Sequence, residues 1–160
     1  VTFIGAGGAA HATAFHLAAL GVKSIRIANR TVAKADEIAE KLRRLHPALF
    51  VETARPDDSA TLARWFADTA PPIQATSLGL KAGDPAPFDL ALLEPELKLC
   101  IFDTIYKPTP LLAKARELRL PVADGAAMLI HQGAKSFELW TGLSAPLDAM
   151  RRGFLEAQPC

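Results

Sequence analysis

Near the start of the chain, Gly5-Ala6-Gly7-Gly8-Ala9-Ala10 satisfies G-x-G-x-x-A between an apolar run and a helical pattern. The chemistry such a turn offers is anion binding. Gly5 permits the tight turn, Gly7 lets the main chain approach a pyrophosphate, and Ala10 keeps helix and strand close, while the helix start presents free N–H groups. Small residues also serve any tight strand-to-helix connection, so the motif points to a dinucleotide only through its context. One unit downstream stands Asn29-Arg30-Thr31, at the end of a second strand, where an NAD enzyme usually offers an acid to the adenosine ribose. No acid is there to repel a 2′-phosphate. Arg30 and Lys34 supply two cations one helical turn apart, and Thr31 can donate, which favours NADP (NADPH). The bland alternative is a pair of solvated charges at a helix start. Tyr106, the chain's one tyrosine, follows a predicted strand's carboxyl end, where ligands of open α/β sheets bind. It could equally be a half-buried aromatic with a wet hydroxyl.

Elements with two hydrophobic periods must position these groups. Val1 to Ile4 reads as a buried strand. Ala10 to Leu20 reads as a helix with Ala10, Ala14, Phe15, Leu17 and Ala18 recurring at helical spacing, closed by Gly21 at C′. Ser24 to Asn29 alternates, with Ile25 and Ile27 on one face, and Thr31 offers an N-cap for a helix carrying Val32, Ala35, Ile38, Ala39 and Leu42. A third strand is expected near Leu49 to Glu52. A helix from Asp57-Asp58-Ser59 then turns Leu62, Trp65 and Phe66 inward. Pro71-Pro72 precedes a strand over Ile73 to Thr76, Lys81 to Pro87 is a loop, and Lys98 to Phe102 is the next strand. Thr109-Pro110 is an N-cap with proline at N1, opening a helix through Leu111, Leu112, Ala115 and Leu118. Pro121 to Ala123 is the last strand, before helices over Ala126 to Trp140 and Pro146 to Ala157 separated by Gly142. Alternation of this kind argues for an α/β fold, a doubly wound and mainly parallel sheet with flanking helices.

Five further blocks carry a family resemblance. Together with the glycine turn, Asn29-Arg30-Thr31, Ala75-Thr76-Ser77-Leu78-Gly79-Leu80, Phe102-Asp103-Thr104-Ile105-Tyr106-Lys107-Pro108-Thr109-Pro110, Asp124-Gly125 with Met128-Leu129, and Gln132-Gly133-Ala134 to Gly142 resemble shikimate dehydrogenase in order and spacing. The resemblance covers that family's C-terminal NADP-binding domain, Rossmann-like, and its closing helices. It implies NADPH-dependent, reversible reduction of 3-dehydroshikimate to shikimate in the aromatic amino-acid (chorismate) pathway. The family's catalytic Lys and Asp lie in an N-terminal substrate domain that would precede Val1, so these residues alone are expected to bind cofactor without turnover. The motif matches imply cofactor contacts at Gly5, Ala6, Gly7, Gly8, Ala9, Asn29, Arg30, Thr31, Lys34, Thr76, Thr104 and Gly125, and substrate contacts at Tyr106 and Gln132. Without the match, Gln132 would read as a solvated helical residue. The chain departs from the family at Gln74, where Asn commonly precedes Ala-Thr-Ser, and this bears on the loop beside the nicotinamide. The expected domains are 1–126 for the cofactor and 127–160 for helices packing back on the substrate domain, with Met128, Leu129, Phe137, Leu139 and Trp140 partly exposed without it.

Composition narrows the alternatives. The chain has 160 residues, the length of about one domain, with 50% hydrophobic and 22% charged residues. Eighteen basic and seventeen acidic side chains leave a charge of +1, too small a field for nucleic acid or an anionic membrane. No segment reaches membrane-spanning length. Cys100, expected in the core on its strand, and the terminal Cys160 form no disulfide framework, which fits a reducing cytoplasm. The start on Val1, with no Met and no basic region, argues against a secretory signal and suggests a piece of a longer protein. His11, His16, His46 and His131 lack ligand spacing, so no metal is expected. Asp103 and Asp124 read as loop or cap acceptors, and Arg43-Arg44 and Arg151-Arg152 as solvated helix faces. The partner expected is a small molecule, and a homodimer of the full-length protein is compatible with the resemblance. Competing functions are a quinate or aminoshikimate dehydrogenase and a nucleotide-sensing module without turnover.

Overall fold

The computed structural model describes residues 1–68, 72–97 and 99–157. Pro71, Lys98 and Cys160 therefore lie outside the described residues. By contact the chain divides into two compact units, 1–124 and 125–160.

The first unit is one six-stranded sheet in the order β3-β2-β1-β4-β5-β6, every pairing parallel. Its elements follow the chain as β1 (Thr2–Ile4), α1 (Gly8–Ala19), β2 (Ser24–Ala28), α2 (Val32–Leu45), β3 (Phe50–Ala54), α3 (Ser59–Ala67), β4 (Pro72–Gln74), a 3₁₀ turn (Leu90–Leu92), β5 (Ile101–Asp103), α4 (Pro110–Glu117) and β6 (Val122–Ala123). The connection from β3 to β4 crosses to the other side of β1, so the winding reverses at β1. This is the Rossmann-like order, and it opens a crevice outside the carboxyl ends of β1 and β4.

Alternation along β1 sends neighbouring residues to opposite cores. Phe3 joins Ala10, Ala14, Ile25, Ile27, Ile38 and Leu42 on one face, and Ile4 joins Leu62, Trp65, Phe66, Ile101 and Leu111 on the other. The buried stripe of α1 is Ala10, Ala14 and Ala18; methyl side chains let this helix lie close to the sheet. Gly21, at φ +83, follows its C-cap Leu20. Asp58 caps α3 by accepting from Thr61 N at 3.1 Å, and Thr109 caps α4 by accepting from Leu112 N at 3.1 Å.

Several expectations need correcting. Thr31 occupies the N-cap position of α2 but makes no side-chain capping bond; its carbonyl instead accepts from Asn29 Nδ2 at 2.7 Å. The third strand ends two residues later than expected, because pairing with β2 continues to Ala28↔Ala54. The fourth strand lies earlier, at Pro72–Gln74, since Ala75 and Thr76 already belong to the crevice loop. The fifth starts at Ile101, where pairing with Val122 begins. Cys100 precedes it and is exposed, because Leu99 and Ile101 on either side turn inward. Arg43 and Arg44 are exposed, as expected of a solvated helix face, and Arg43 also donates to Val51 O at 2.7 Å. Arg26, opposite the Ile25 and Ile27 face, is buried. It donates to Trp65 O at 3.1 Å and pairs with Asp68 and with Glu52 at 3.3 Å, so the carboxyl end of α3 receives its charge.

The second unit comprises α5 (Ala126–Thr141), closed by Gly142 in the left-handed region, and α6 (Leu147–Glu156). Met128 is 37% exposed, Leu129 36%, Leu139 75% and Trp140 84%. Phe137 is half-buried, Gln132 and His131 are exposed, and Arg151 reaches Asp148 at 3.7 Å.

Candidate cofactor site

Hydrogen bonds of the sheet run on past the strand ends and fix the loops around the crevice. Gly5 N donates to Ala28 O at 2.7 Å, Ala75 N to Ile4 O at 2.8 Å, Asn29 N to Ala54 O at 3.0 Å and Thr104 N to Gln74 O at 2.9 Å. Gly5 is required by this fit. It has φ +113, and a Cβ there would stand 2.6 Å from Ala75 O and 2.8 Å from Thr76 Cγ2. Gly7, the N-cap of α1, has an ordinary φ of −85, and a Cβ would meet only Ala75 O at 3.8 Å. With no capping side chain, the N–H groups of Gly8, Ala9 and Ala10 lack intrahelical partners and give that end of α1 a positive character.

Two adjoining cavities lie in front of this turn. One, of about 350 Å³, is lined by Gly5, Ala6, Gly7, Asn29, Arg30, Thr31, Lys34 and Thr76 among others. The second, of about 390 Å³, shares Gly5, Asn29, Arg30 and Thr76 and extends to Arg55, Asp57, Leu78 and Pro87. Gly8 lines a third cleft, on the α2 side, with Lys34 and Lys41. Among the described residues no carboxylate pairs with Arg30 or Lys34, and no His, Cys, Asp and Glu group could hold a metal. The combined site offers a helix start and two unpaired cations to anions, and a larger, partly apolar chamber beside them.

The crevice wall on the β4 side is organised by Gln74, which is 1% exposed. Its Oε1 accepts from Thr76 N at 2.7 Å and its Nε2 donates to Leu78 O at 2.9 Å; Thr76 Oγ1 in turn accepts from Leu78 N at 3.0 Å. Gln74 thus holds the loop from its own side chain. Farther along, Asp84 accepts from Lys81 N at 3.0 Å and Gly79 N at 2.9 Å, and these bonds hold its carboxyl below the usual range.

Beyond β5, Asp103 is fully buried. It accepts from Ile105 N at 2.9 Å and Thr109 Oγ1 at 2.7 Å, which ties the loop carrying Thr104 and Tyr106 to the start of α4. Burial pushes its carboxyl above the usual range, against the pull of those two bonds and with a further push from Asp124. Tyr106 is half-buried, with Lys107 Nζ 5.7 Å from its ring centroid. The expected contacts Ala9, Thr104 and Tyr106 do not line the two cavities; Gly125, the N-cap of α5, and Gln132, on α5, belong to the second unit. Sequence reasoning missed Arg55 and Asp57. Locally Arg55 is one charge after a strand and Asp57 reads only as part of a helix start, so neither points to a cavity.

Comparison with known proteins agrees with this geometry. The family described as Shikimate / quinate 5-dehydrogenase matches residues 1–54, and the Shikimate 5′-dehydrogenase C-terminal domain matches residues 125–152. A shikimate dehydrogenase (NADP(+)) of Halobacterium salinarum is 40% identical over 150 residues, covering 92% of this chain and 52% of the relative. The chain belongs to the shikimate dehydrogenase family. It spans about half the length of the curated relatives it matches. Among solved structures, the family's shikimate 5-dehydrogenase from Listeria monocytogenes, in complex with shikimate and NAD, superimposes with a TM-score of 0.83. It is 33% identical over 94% of this chain and 54% of that one. Quinate dehydrogenase from Corynebacterium glutamicum, in complex with NAD, gives 0.80 at 28% identity over 97% and 54%.

Proposed function

We propose that these residues are the NADP-binding part of an oxidoreductase that interconverts 3-dehydroshikimate and shikimate, with catalytic Lys and Asp in a preceding domain. The observation that carries the reading is the placement of two cations, Arg30 and Lys34, unpaired among the described residues, beside the open N-terminus of α1 at the strand-reversal crevice. A diphosphate fits the N–H groups of Gly8, Ala9 and Ala10. A 2′-phosphate fits Arg30, Thr31 and Lys34, where an NAD site would hold a carboxylate. The bound nicotinamide supplies the hydride. This chain's residues do the rest of the holding: Gly5 and Ala6 shape the turn, and Thr76 and Gln74 set the loop wall. Tyr106, Gln132, Thr104 and Gly125 are proposed contacts by motif, the first two to substrate. The apolar faces of α5 and α6 are proposed to pack on the substrate domain, which accounts for Leu139 and Trp140 lying in water. The reading carries with it a cytoplasmic enzyme with small-molecule partners; among the described residues no helix is long and apolar enough to cross a membrane.

A shikimate 5-dehydrogenase and a quinate dehydrogenase both superimpose on this chain, so the alcohol is read from the curated relatives, named for shikimate. The test has two arms. Titration of these 160 residues should show NADPH binding tighter than NADH, with no shikimate oxidation. The natural full-length protein should oxidise shikimate with NADP⁺ faster than quinate. Absence of NADPH binding, turnover by the 160 residues alone, or a preference for quinate would overturn the reading.

A further inference from the structure

The larger cavity contains a guanidinium that the glycine and Asn-Arg-Thr motifs do not explain. Arg55 follows β3 and is held on three sides: Nε and Nη2 each donate to Asp57 carboxylate oxygens at 2.9 Å, and Nη1 reaches Arg30 O at 3.4 Å. Both side chains of the pair are more than half exposed, so the bonds orient the group without covering its face. We propose that the Arg55–Asp57 pair is a flat stacking platform for the purine base of the cofactor, separating base recognition from phosphate recognition. This rests on the nucleotide reading above and adds a residue to it.

Charge decides between a platform and a third phosphate anchor. Arg30 and Lys34 are unpaired and line the cavity next to the α1 terminus, whereas Arg55 is neutralised by a bidentate carboxylate. Asp57 would repel a phosphate placed in the larger cavity, so the anion belongs with Arg30 and Lys34 and a neutral group belongs beside Arg55. A guanidinium whose N–H edge is taken up by a carboxylate still offers a polarizable plane, and planar bases stack on such planes. The remaining lining fits a base as well: Pro56, Leu78 and Pro87 supply apolar surface around the same cavity.

Calorimetric titration of the protein with NADPH, NADH and 2′,5′-ADP tests this. Arg55→Ala should weaken all three by the same factor, about two- to fivefold for an exposed stacking contact. Arg55→Lys, which keeps the charge and loses the plane, should behave like Arg55→Ala. Arg55→Tyr, which keeps a plane and loses the charge, should retain parent affinity. A loss confined to NADPH and 2′,5′-ADP, rescue by Lys, or no loss from Arg55→Ala in a folded protein would overturn the platform while leaving the nucleotide reading intact. Failure of the parent to bind either dinucleotide would overturn both.

Discussion

Three glycines in one turn should respond to alanine in three different ways, because the structure gives each a different surrounding. At Gly5 the added methyl meets the Ala75 carbonyl oxygen at 2.6 Å and carbon at 2.8 Å, with φ at +113. The backbone conformation costs an L-residue about 1–2 kcal/mol. The overlap is with main chain, so no rotamer relieves it. β1 and β4 must separate, which adds about 1–3 kcal/mol by analogy with overpacked cores. A loss near 3 kcal/mol should lower the melting temperature by about 6–12 °C in a protein of this size. At Gly7 the methyl makes an ordinary contact at 3.8 Å. The entropic gain of about 0.4–1 kcal/mol is offset by the poorer N-cap, so stability should hold. On the proposed placement of the diphosphate at this turn, the methyl would crowd it and cofactor affinity should fall; a misfit of about 1–3 kcal/mol is about five- to a hundredfold. At Gly8, the first residue of α1, nothing lies within 4 Å of the methyl, and helix propensity predicts a gain approaching about 1 kcal/mol. Urea unfolding followed by tryptophan fluorescence reads the first unit, since Trp65 is buried there and Trp140 is 84% exposed. Equal destabilisation by Gly5→Ala and Gly7→Ala, or unchanged NADPH affinity in Gly7→Ala, would refute the reasoning.

Arg30→Ala should weaken NADPH by about five- to thirtyfold, the lower half of a charged hydrogen bond after discounting for solvent, and leave NADH nearly unchanged. Adding Lys34→Ala should extend the loss by less than a second increment, because both cations share one phosphate; equal losses for the two cofactors in calorimetry would mean that Arg30 only shapes its loop. Tyr106→Phe in the full-length protein should lower turnover with little change in cofactor affinity, and an unaltered kcat and KM would return Tyr106 to packing alone. Asp103→Asn keeps an acceptor for Ile105 N and can donate to Thr109 Oγ1, so the fold should survive it. Because the native carboxyl is raised, the native state holds its proton more tightly, and the parent loses stability relative to the variant as pH rises from about 4. The variant's advantage should grow through the raised native value and then level off in chemical unfolding at several pH values; a pH-independent difference would remove Asp103 as the cause.

What was legible in the sequence was local. The 3.6-residue period of Ala10, Ala14 and Ala18 and of Ala35, Ile38 and Leu42, and the caps Asp58 and Thr109, specify their helices from within a turn or two. The glycine turn and Asn29-Arg30-Thr31 name two walls of the crevice for the same reason: each is a short run attached to a strand end. Strands of three residues carry too little pattern to set their own ends. β4 and β5 are placed by bonds to their neighbours, which is why the loop at Ala75 and the exposure of Cys100 were misread. Burial of Arg26 depends on Asp68, 42 residues away, and Arg55 meets the Arg30 carbonyl across 25 residues. Neither separation leaves a trace in hydrophobic period or composition. Only the parallel sheet brings the ends of β2 and β3 side by side, and that juxtaposition gives the larger cavity its oriented guanidinium.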